Sequence, residues 1–339
     1  MSERPRRILI VTDLWDTHPN GPATTVRNLK RELEARGHAV DLTEPGMFFT
    51  VPFPLYPEVP LPLFARGAVR RTILGGNYDD IHLTTEGLLG WYARGICKKR
   101  GIPFTTASHG RIDLYGEVWL GKPVGIFMRS LISRFHRPAA IVIVFTKAME
   151  SHMRSLGISR IRILPLGVDP IFFKHGTCLA ALGRPVFMYF GRVSSEKSVE
   201  EFLQADLPGV KLVIGDGPDR KKLQAKYPRV RFAGYQIGGA LADWIACADV
   251  FVMPSRTDVF PLVVVESLAA GVPVAAYDVA GPREFITVGV NGYLDNDLAA
   301  AAKKCLSLSR QACRDSVRQY SWSISADRFL QIAVEAISR

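Results

Sequence analysis

Two acidic side chains in the stretch Phe251–Pro273 lie close enough in sequence to accept hydrogen bonds from one bound ligand. Asp258 lies in a polar loop after an apolar strand, and Glu266 lies eight residues later on a helix. Pro261 suits the start of that helix and Gly271 its end, because of their backbone chemistry. A carboxylate so placed can accept hydrogen bonds from both hydroxyls of a ribose, and Asp258 can hold a neutral sugar. The pair therefore indicates a site for a nucleotide sugar.

Two cations, Arg192 and Lys197, flank the junction between the run PVFMYFGR and the next helix. The helix dipole disfavours cations at a helix N-terminus, so their placement needs another reason. A bound diphosphate provides one, because arginine grips phosphate oxygens with two N–H groups and lysine adds a compact charge. The alternative is a pair of surface cations that are simply solvated.

Two further candidates lie in the first half of the chain. Asn20 and Gly21 directly precede a helix, where unpaired backbone N–H groups favour an anion, although an ordinary turn explains them too and the GxGxxG fingerprint is absent. His109 lies where a strand runs into a loop that also holds Asp113 and Tyr115. Strand ends of this kind face the ligand in open α/β sheets, and a structural histidine is the alternative.

The elements that must position these residues alternate between apolar strands and amphipathic helices. The run RILIVT is typical of a strand buried on both faces of a parallel sheet, and residues 23–36 repeat apolar side chains at helical spacing. The alternation restarts after about residue 170. The 339 residues also exceed the roughly 250–300 at which a single core stops growing. We therefore expect two α/β domains, residues 1–170 and 171–322.

Composition and charge limit the classes of function. Hydrophobic residues make up 47% and charged residues 22%, as in an ordinary globular protein, and no apolar stretch approaches the ~20 residues that span a bilayer. The formal charge is +11, and residues 1–170 carry +8 of it, from 23 Lys and Arg against 15 Asp and Glu. Such a surface suits nucleic acid, anionic lipid or phosphorylated substrates, and a solvated excess of charge is the alternative.

The cysteines and the N-terminus indicate a reduced, cytosolic setting. The five cysteines are odd in number and lack CxxC spacing, so neither a disulfide framework nor a zinc site is expected. The apolar run after the basic N-terminus is too short for a signal sequence. Any membrane contact is therefore expected to be peripheral.

Two apolar segments are candidates for surface contacts. Residues 47–64 hold five prolines among aromatic and aliphatic residues, which predicts a long loop with extended pieces. Residues 119–137 interleave apolar side chains with the basic residues Lys122, Arg129, Arg134 and Arg137. The second pattern suits a helix lying on anionic lipid, and a core helix with basic outer residues explains it equally well.

The run PSRTDVFPLVVVESLAAGVPV resembles the nucleotide-sugar motif of the retaining glycosyltransferases of family 4. The resemblance covers essentially the whole chain and includes IHLTTEGLLG, LPLGVD, GRVSSEKSVEEFL and IGDGP. It is closest to members that build glycolipids. It implies the α/β fold called GT-B, in which two Rossmann-like domains face a central cleft, and a C-terminal helix, about 323–339, that packs back on the first domain.

The resemblance also implies roles for residues of the second domain. Arg192 and Lys197 match the pair that neutralises the leaving diphosphate, and Glu266 matches the residue that holds the ribose. Asp258 matches the residue that contacts the donor sugar. Catalysis is then expected to use no metal ion and no cofactor, with the nucleoside diphosphate sugar as a substrate.

Four other positions complete the expected site. Gly21 matches the glycine turn near the phosphates, and His109 matches a histidine near the donor sugar and the reaction centre. Val259 and Phe260, which follow the first acidic residue, are expected to bind the donor as well. The catalytic set is thus His109 with the two cations and the first carboxylate.

Three departures from the family pattern put the choice of sugar in doubt. The first acidic residue is usually glutamate and here is Asp258, which is shorter by one C–C bond, about 1.5 Å. The glycine usually found near that loop is replaced by Pro261, and the histidine usually followed by threonine is followed by Gly110. The diphosphate and ribose contacts are unaffected.

The expected function is transfer of a hexose from a UDP- or GDP-linked donor to a lipid or lipid-linked acceptor. The protein is expected in the cytoplasm, peripherally bound to the inner face of the membrane in the lipid case, with no nucleic-acid partner. One alternative is a soluble transferase that acts on a saccharide or small alcohol. Another is a non-catalytic scaffold that binds nucleotide sugars.

Overall fold

The structure is a computed structural model that describes residues 4–14, 21–53, 56–174, 176–178 and 182–338. It divides into two compact units, Met1–Leu166 with Trp322–Arg339, and Gly167–Ser321. Each unit contains a six-stranded parallel sheet with helices, which confirms the expected pair of α/β domains. The boundary at Leu166 falls a few residues before the restart expected at about residue 170.

Unit 1 begins with alternating strands and helices. In chain order these are β1 (Arg7–Val11), α1 (Gly21–Ala35), β2 (Ala39–Thr43), β3 (Thr50–Phe53), β4 (Tyr56–Pro62), α2 (Arg66–Gly75), β5 (Asp80–Leu83), α3 (Leu88–Arg100), β6 (Thr105–Ala107), α4 (Ile112–Leu120), α5 (Lys122–His136), β7 (Ile141–Val144), α6 (Lys147–Ser155) and β8 (Ile161–Ile163). The main sheet has the order β2-β1-β5-β6-β7-β8.

Unit 2 repeats the pattern. Its elements are β9 (Val186–Phe190), α7 (Val199–Gln204), β10 (Val210–Ile214), α8 (Arg220–Lys226), β11 (Arg231–Gly234), α9 (Gly238–Ala246), β12 (Val250–Met253), α10 (Leu262–Ala269), β13 (Val274–Ala276), α11 (Ala280–Arg283), β14 (Gly292–Leu294), α12 (Leu298–Cys305) and α13 (Arg310–Asp315). The sheet order is β11-β10-β9-β12-β13-β14. A last helix, α14 (Trp322–Ile337), belongs to unit 1. Arg36, the residue after α1, donates hydrogen bonds to the Ser323 and Asp327 side chains of this helix.

Burial explains why the apolar runs form central strands. Every residue of β5, β7, β9 and β12 is buried, as expected for strands covered on both faces by helices. The helices end as their sequences predict: Gly101 adopts a left-handed conformation after α3, and Gly271 does so after α10. Thr146 caps α6 by accepting a hydrogen bond from the Met149 N–H.

Two local expectations need correction. The proline-rich segment has the expected extended pieces, but they pair as an antiparallel two-stranded ribbon, β3–β4, and do not lie in a long loop. Asp113 lies in the first turn of α4 and not in a loop.

The expectation that the cysteines are reduced is also wrong for one pair. Cys178 and Cys247 form a disulfide across 69 residues of sequence, so the pairing is a tertiary one that no local spacing could signal. Cys97, Cys305 and Cys313 are buried thiols, and burial raises the pKa of each above its usual value. Within the described ranges, no helix is long and apolar enough to cross a membrane.

Candidate functional site

The sheet of unit 2 places four of the residues singled out from the sequence, Arg192, Lys197, Asp258 and Glu266, after the carboxyl ends of two neighbouring strands. The chain runs from β9 outward to β10 and β11 and then returns to the other side of β9 with β12. The strand order therefore reverses between β9 and β12, and ligands of open α/β sheets bind at the carboxyl ends of such strands. Arg192 follows β9, Asp258 follows β12, and Glu266 lies on α10.

The segment after β9 is a tightly fixed turn. Gly191 adopts a φ of 138°, a conformation that L side chains rarely take. The Tyr189 hydroxyl donates to the Arg192 carbonyl at 2.6 Å, and the Val193 N–H donates to the Asp216 carbonyl at 2.9 Å. A short 3-10 turn, Ser195–Lys197, follows. The turn therefore holds the backbone that carries both cations in one conformation.

Each cation of the turn has an acidic neighbour. The Lys197 ammonium forms an ion pair with the Asp258 carboxylate, and the Arg192 Nε lies 3.6 Å from Glu196 Oε1. The Lys197 and Asp258 side chains are 24% and 18% exposed, so both reach solvent. The first acidic residue and the predicted diphosphate-binding lysine are thus direct neighbours, 61 residues apart in sequence.

Glu266 is partly buried on α10. Burial, and to a lesser extent the nearby Asp169 carboxylate, raises the pKa of Glu266 to about 7. Asp169 begins a 3-10 turn, Pro170–Phe173, by accepting a hydrogen bond from the Ile171 N–H at 3.0 Å. A carboxyl group with this pKa changes charge near neutral pH.

The loop between β12 and α10 is shaped by close packing. Val259 and Phe260 are partly buried, and the Phe260 ring meets Phe285 edge-on at 4.7 Å. A β-carbon placed on Gly281, in α11, would lie 2.0 Å from the Asp258 carbonyl oxygen. Only glycine at this position allows the acidic loop to lie where it does.

The two candidates in unit 1 are described separately. Gly21 is the exposed first residue of α1, whereas Asn20 lies outside the described residues. His109 follows β6, and its ring packs on Phe145 at 4.6 Å. Burial lowers the pKa of His109 to about 3, with a smaller contribution from His82, so its imidazole is neutral at physiological pH. The structure does not test the roles expected of these two residues.

Sequence reasoning missed three residues that shape the site: Tyr189, Glu196 and Gly281. Tyr189 and Glu196 lie within the run already singled out, but their contacts depend on the conformation of the turn. Gly281 lies 23 residues after Asp258 and meets it only in the folded sheet. In the part of the chain that the structure describes, no three His, Cys, Asp or Glu side chains are grouped to hold a metal ion.

Comparisons with known proteins cover both units. The family model described as Glycosyltransferase Family 4 matches residues 19–172, and the model described as Glycosyl transferases group 1 matches residues 184–311. A GDP-mannose-dependent alpha-mannosyltransferase of Mycolicibacterium smegmatis is 30% identical over 363 aligned residues, covering 96% of each protein. An alpha-monoglucosyldiacylglycerol synthase of Streptococcus pneumoniae is 26% identical, covering 95% of this chain and 83% of that protein.

One solved structure is similar to this chain over almost its whole length. The sucrose-phosphate synthase of Thermosynechococcus elongatus superposes with a TM-score of 0.80, covering 98% of this chain and 99% of that one. Its sequence is only 20% identical, so this likeness concerns the fold alone.

Proposed function

Because this chain belongs to the glycosyltransferases of family 4, we propose that it transfers a hexose from a UDP- or GDP-linked donor to a lipid or lipid-linked acceptor. The observation that carries the proposal is the grouping of two cations and two carboxylates at the carboxyl ends of β9 and β12. The nucleotide sugar is a substrate, and the proposal requires neither a cofactor nor a metal ion.

The two cations would act on the leaving group. When the bond between the anomeric carbon and the diphosphate oxygen breaks, the bonding electrons leave with the diphosphate, which gains negative charge. Arg192 and Lys197 sit on a fixed turn, so their charges are in place before the reaction. Cations held this way stabilise the transition state more than the ground state. No protein nucleophile is needed if the acceptor hydroxyl attacks from the side of the leaving group, which retains the configuration, while its proton passes to the departing diphosphate oxygen.

The two carboxylates would orient the donor. An ionised Glu266 can accept hydrogen bonds from both ribose hydroxyls, and its pKa of about 7 makes this contact sensitive to pH. Asp258 would accept hydrogen bonds from hydroxyls of the hexose. Its ion pair with the Lys197 ammonium would keep the sugar-binding and diphosphate-binding parts of the site next to each other. Val259 and Phe260 would line the same loop.

The lipid acceptor is supported by the name of the Streptococcus pneumoniae relative and by the surface of unit 1. At the corner between α4 and α5, Leu120, Ile126 and Phe127 are exposed beside the exposed Lys122. Exposed apolar side chains next to cations suit the interface of an anionic bilayer. We place the protein in the cytoplasm, bound peripherally to the inner face of the membrane through this corner.

A two-stage experiment tests the proposal. Thermal shifts against UDP, GDP and ADP sugars identify the donor, because a ligand that binds only the folded state raises Tm. The radiolabelled donor is then incubated with vesicles of dioleoylphosphatidylglycerol that contain dioleoylglycerol or phosphatidylinositol. We expect labelled lipid. If the protein binds no UDP or GDP sugar, the proposal is overturned. If it transfers sugar only to saccharides, the soluble alternative is favoured. If it binds a donor without turning it over, the non-catalytic scaffold is favoured.

A further inference from the structure

A buried chain of hydrogen bonds in unit 1 connects β6, α5 and the segment after β5. His136 has a fully buried side chain, with Nδ1 2.8 Å from Thr106 Oγ1 and Nε2 3.0 Å from Glu86 Oε1. Because a carboxylate only accepts, Nε2–H must donate to Glu86, while Nδ1 lies within hydrogen-bond distance of the Thr106 hydroxyl. The histidine therefore fixes one oxygen of Glu86.

Glu86 lies at the point of unit 1 where ligands of such sheets bind. The chain runs from β1 outward to β2 and returns on the other side of β1 with β5, so the strand order reverses between β1 and β5. Glu86 follows the carboxyl end of β5, and Asp13 follows the carboxyl end of β1. The crevice outside these strand ends is therefore the expected ligand position.

The two carboxylates at this crevice differ in what they bond. Both oxygens of Asp13 are occupied, because they accept from the Leu89 N–H at 2.8 Å, the Thr85 hydroxyl at 2.8 Å and the Gly90 N–H at 3.2 Å. Asp13 thus caps α3 and serves the fold. Among the residues that the structure describes, Oε2 of Glu86 has no hydrogen-bond partner, and the Glu86 side chain is 17% exposed.

A purely structural role would not explain this arrangement. Joining α5 to the segment after β5 needs only one acceptor atom, which an uncharged side chain can supply. A second carboxylate beside Asp13 is electrostatically unfavourable, and Glu86 does raise the pKa of Asp13 through that repulsion, although burial is the larger cause. A charged group kept in this position with one acceptor oxygen available fits a ligand that donates hydrogen bonds.

We propose that Glu86 binds a hydroxyl group of the acceptor, and that His136 and Thr106 are positioning residues that hold its carboxylate toward the crevice between β1 and β5. This inference rests on the proposed transferase function. The ligand class is a polyol or the hydroxylated headgroup of a lipid, because a hydroxyl donates the hydrogen bond that a carboxylate oxygen accepts.

The variant Glu86→Gln tests the inference, since glutamine can still accept from His136 through its carbonyl oxygen but presents an N–H group in place of Oε2. The acceptor is whichever lipid in the vesicles described above the wild-type protein glycosylates. We expect the acceptor KM to rise about 10-fold or more, while the Kd of UDP or GDP stays at the wild-type value. Thr106→Val should raise the acceptor KM by a smaller factor, because it releases His136 without touching the carboxylate.

Glu150→Gln is the matched control, since Glu150 is a carboxylate of the same unit that pairs with Arg154 on the surface of α6. An unchanged acceptor KM in Glu86→Gln overturns the inference. So does a parallel loss of nucleotide affinity with a lowered Tm, which would show a structural role. If the wild-type protein binds no donor, the proposed function fails first, and that result is distinct from either outcome.

Discussion

The Lys197 ammonium and the Asp258 carboxylate form an ion pair that joins the turn after β9 to the loop after β12. One partner is the cation predicted to meet the leaving diphosphate, and the other is the acid predicted to meet the donor sugar. Each is partly shielded from solvent, so the pair is less screened than a surface ion pair. Removing the charge of either residue should therefore affect both diphosphate stabilisation and sugar placement.

Lys197→Ala should lower kcat by about 100-fold to 1,000-fold, with a smaller change in the donor KM, because the cation acts mainly on charge that develops in the transition state. Initial rates over a range of donor concentrations measure both constants. Lys226→Ala is the control, since Lys226 pairs with Glu200 on the surface of unit 2. Turnover of Lys197→Ala at the wild-type rate would contradict the assigned role.

Asp258→Glu should change the preference among sugars on the same nucleotide. The added methylene moves the carboxylate by about 1.5 Å, while a Lys197 contact remains possible. We expect the ratio of kcat/KM for two such donors to shift about 10-fold, with the Kd of the free nucleotide unchanged. Asp278→Glu, at an exposed pair with Arg283, should leave the ratio alone. If the ratio is also unchanged in Asp258→Glu, Asp258 does not contact the sugar.

Much of this site could be predicted from sequence because the information is local. The strands before Arg192 and Asp258 are continuous apolar runs, and a parallel sheet places their carboxyl ends at one edge. The ion pair of Lys197 with Asp258, the contact of Gly281 with Asp258 and the Cys178–Cys247 disulfide are tertiary. Their residues are between 23 and 69 positions apart, so no local pattern encodes them.

The pKa of Glu266 could not be predicted from sequence either, because it depends on burial and on Asp169. With a pKa of about 7, donor affinity should rise about 10-fold between pH 6 and pH 8, as the carboxylate ionises and can accept from both ribose hydroxyls. Titration of UDP or GDP binding against pH measures this. Glu266→Gln should bind more weakly at pH 8 and lose the pH dependence.

Asp169→Asn provides the control for this titration, because it keeps the side-chain oxygen that bonds the Ile171 N–H but removes the neighbouring charge. Asp169→Asn should move the midpoint of donor affinity against pH to a lower pH.

Ionisation of Glu266 should strengthen donor binding but weaken the fold. A raised folded-state pKa stabilises the fold at low pH, and this contribution is lost as pH rises through about 7. Glu266→Gln should therefore have a higher Tm than the wild type at pH 8, and a pH-independent difference would contradict the assignment.

Gly281→Ala should displace the acidic loop. The new β-carbon would lie 2.0 Å from the Asp258 carbonyl oxygen, so the backbone must move, at an expected cost of about 1–3 kcal/mol in the free energy of unfolding. Tm and donor turnover should both fall. Gly239→Ala is the matched control in the same unit, because a β-carbon there meets only Ile171 at 3.8 Å. Wild-type turnover in Gly281→Ala would show that the loop position does not matter for catalysis.

Membrane binding is best tested at the corner between α4 and α5. The aromatic residue Phe135 of α5 is buried, whereas Ile126 and Phe127 are 63% and 61% exposed. Replacing both by serine should weaken binding to dioleoylphosphatidylglycerol vesicles at least 10-fold, since each apolar side chain contributes about 1.5–3 kcal/mol when it leaves water. Vesicle flotation measures the bound fraction. Leu306→Ser, an exposed position in unit 2, is the control.

The structure identifies which basic residues can be changed to test the electrostatic part of membrane binding. Arg129 is paired with Asp113 and Glu117, so reversing its charge would disturb α4 and α5 as well as any lipid contact. Lys122, Arg134 and Arg137 are exposed, and changing these three to glutamate should abolish flotation with anionic vesicles while Tm changes little. Undiminished flotation in both the apolar and the charge-reversed variants would place the membrane contact elsewhere. Flotation of neither the wild type nor the variants would favour the soluble transferase.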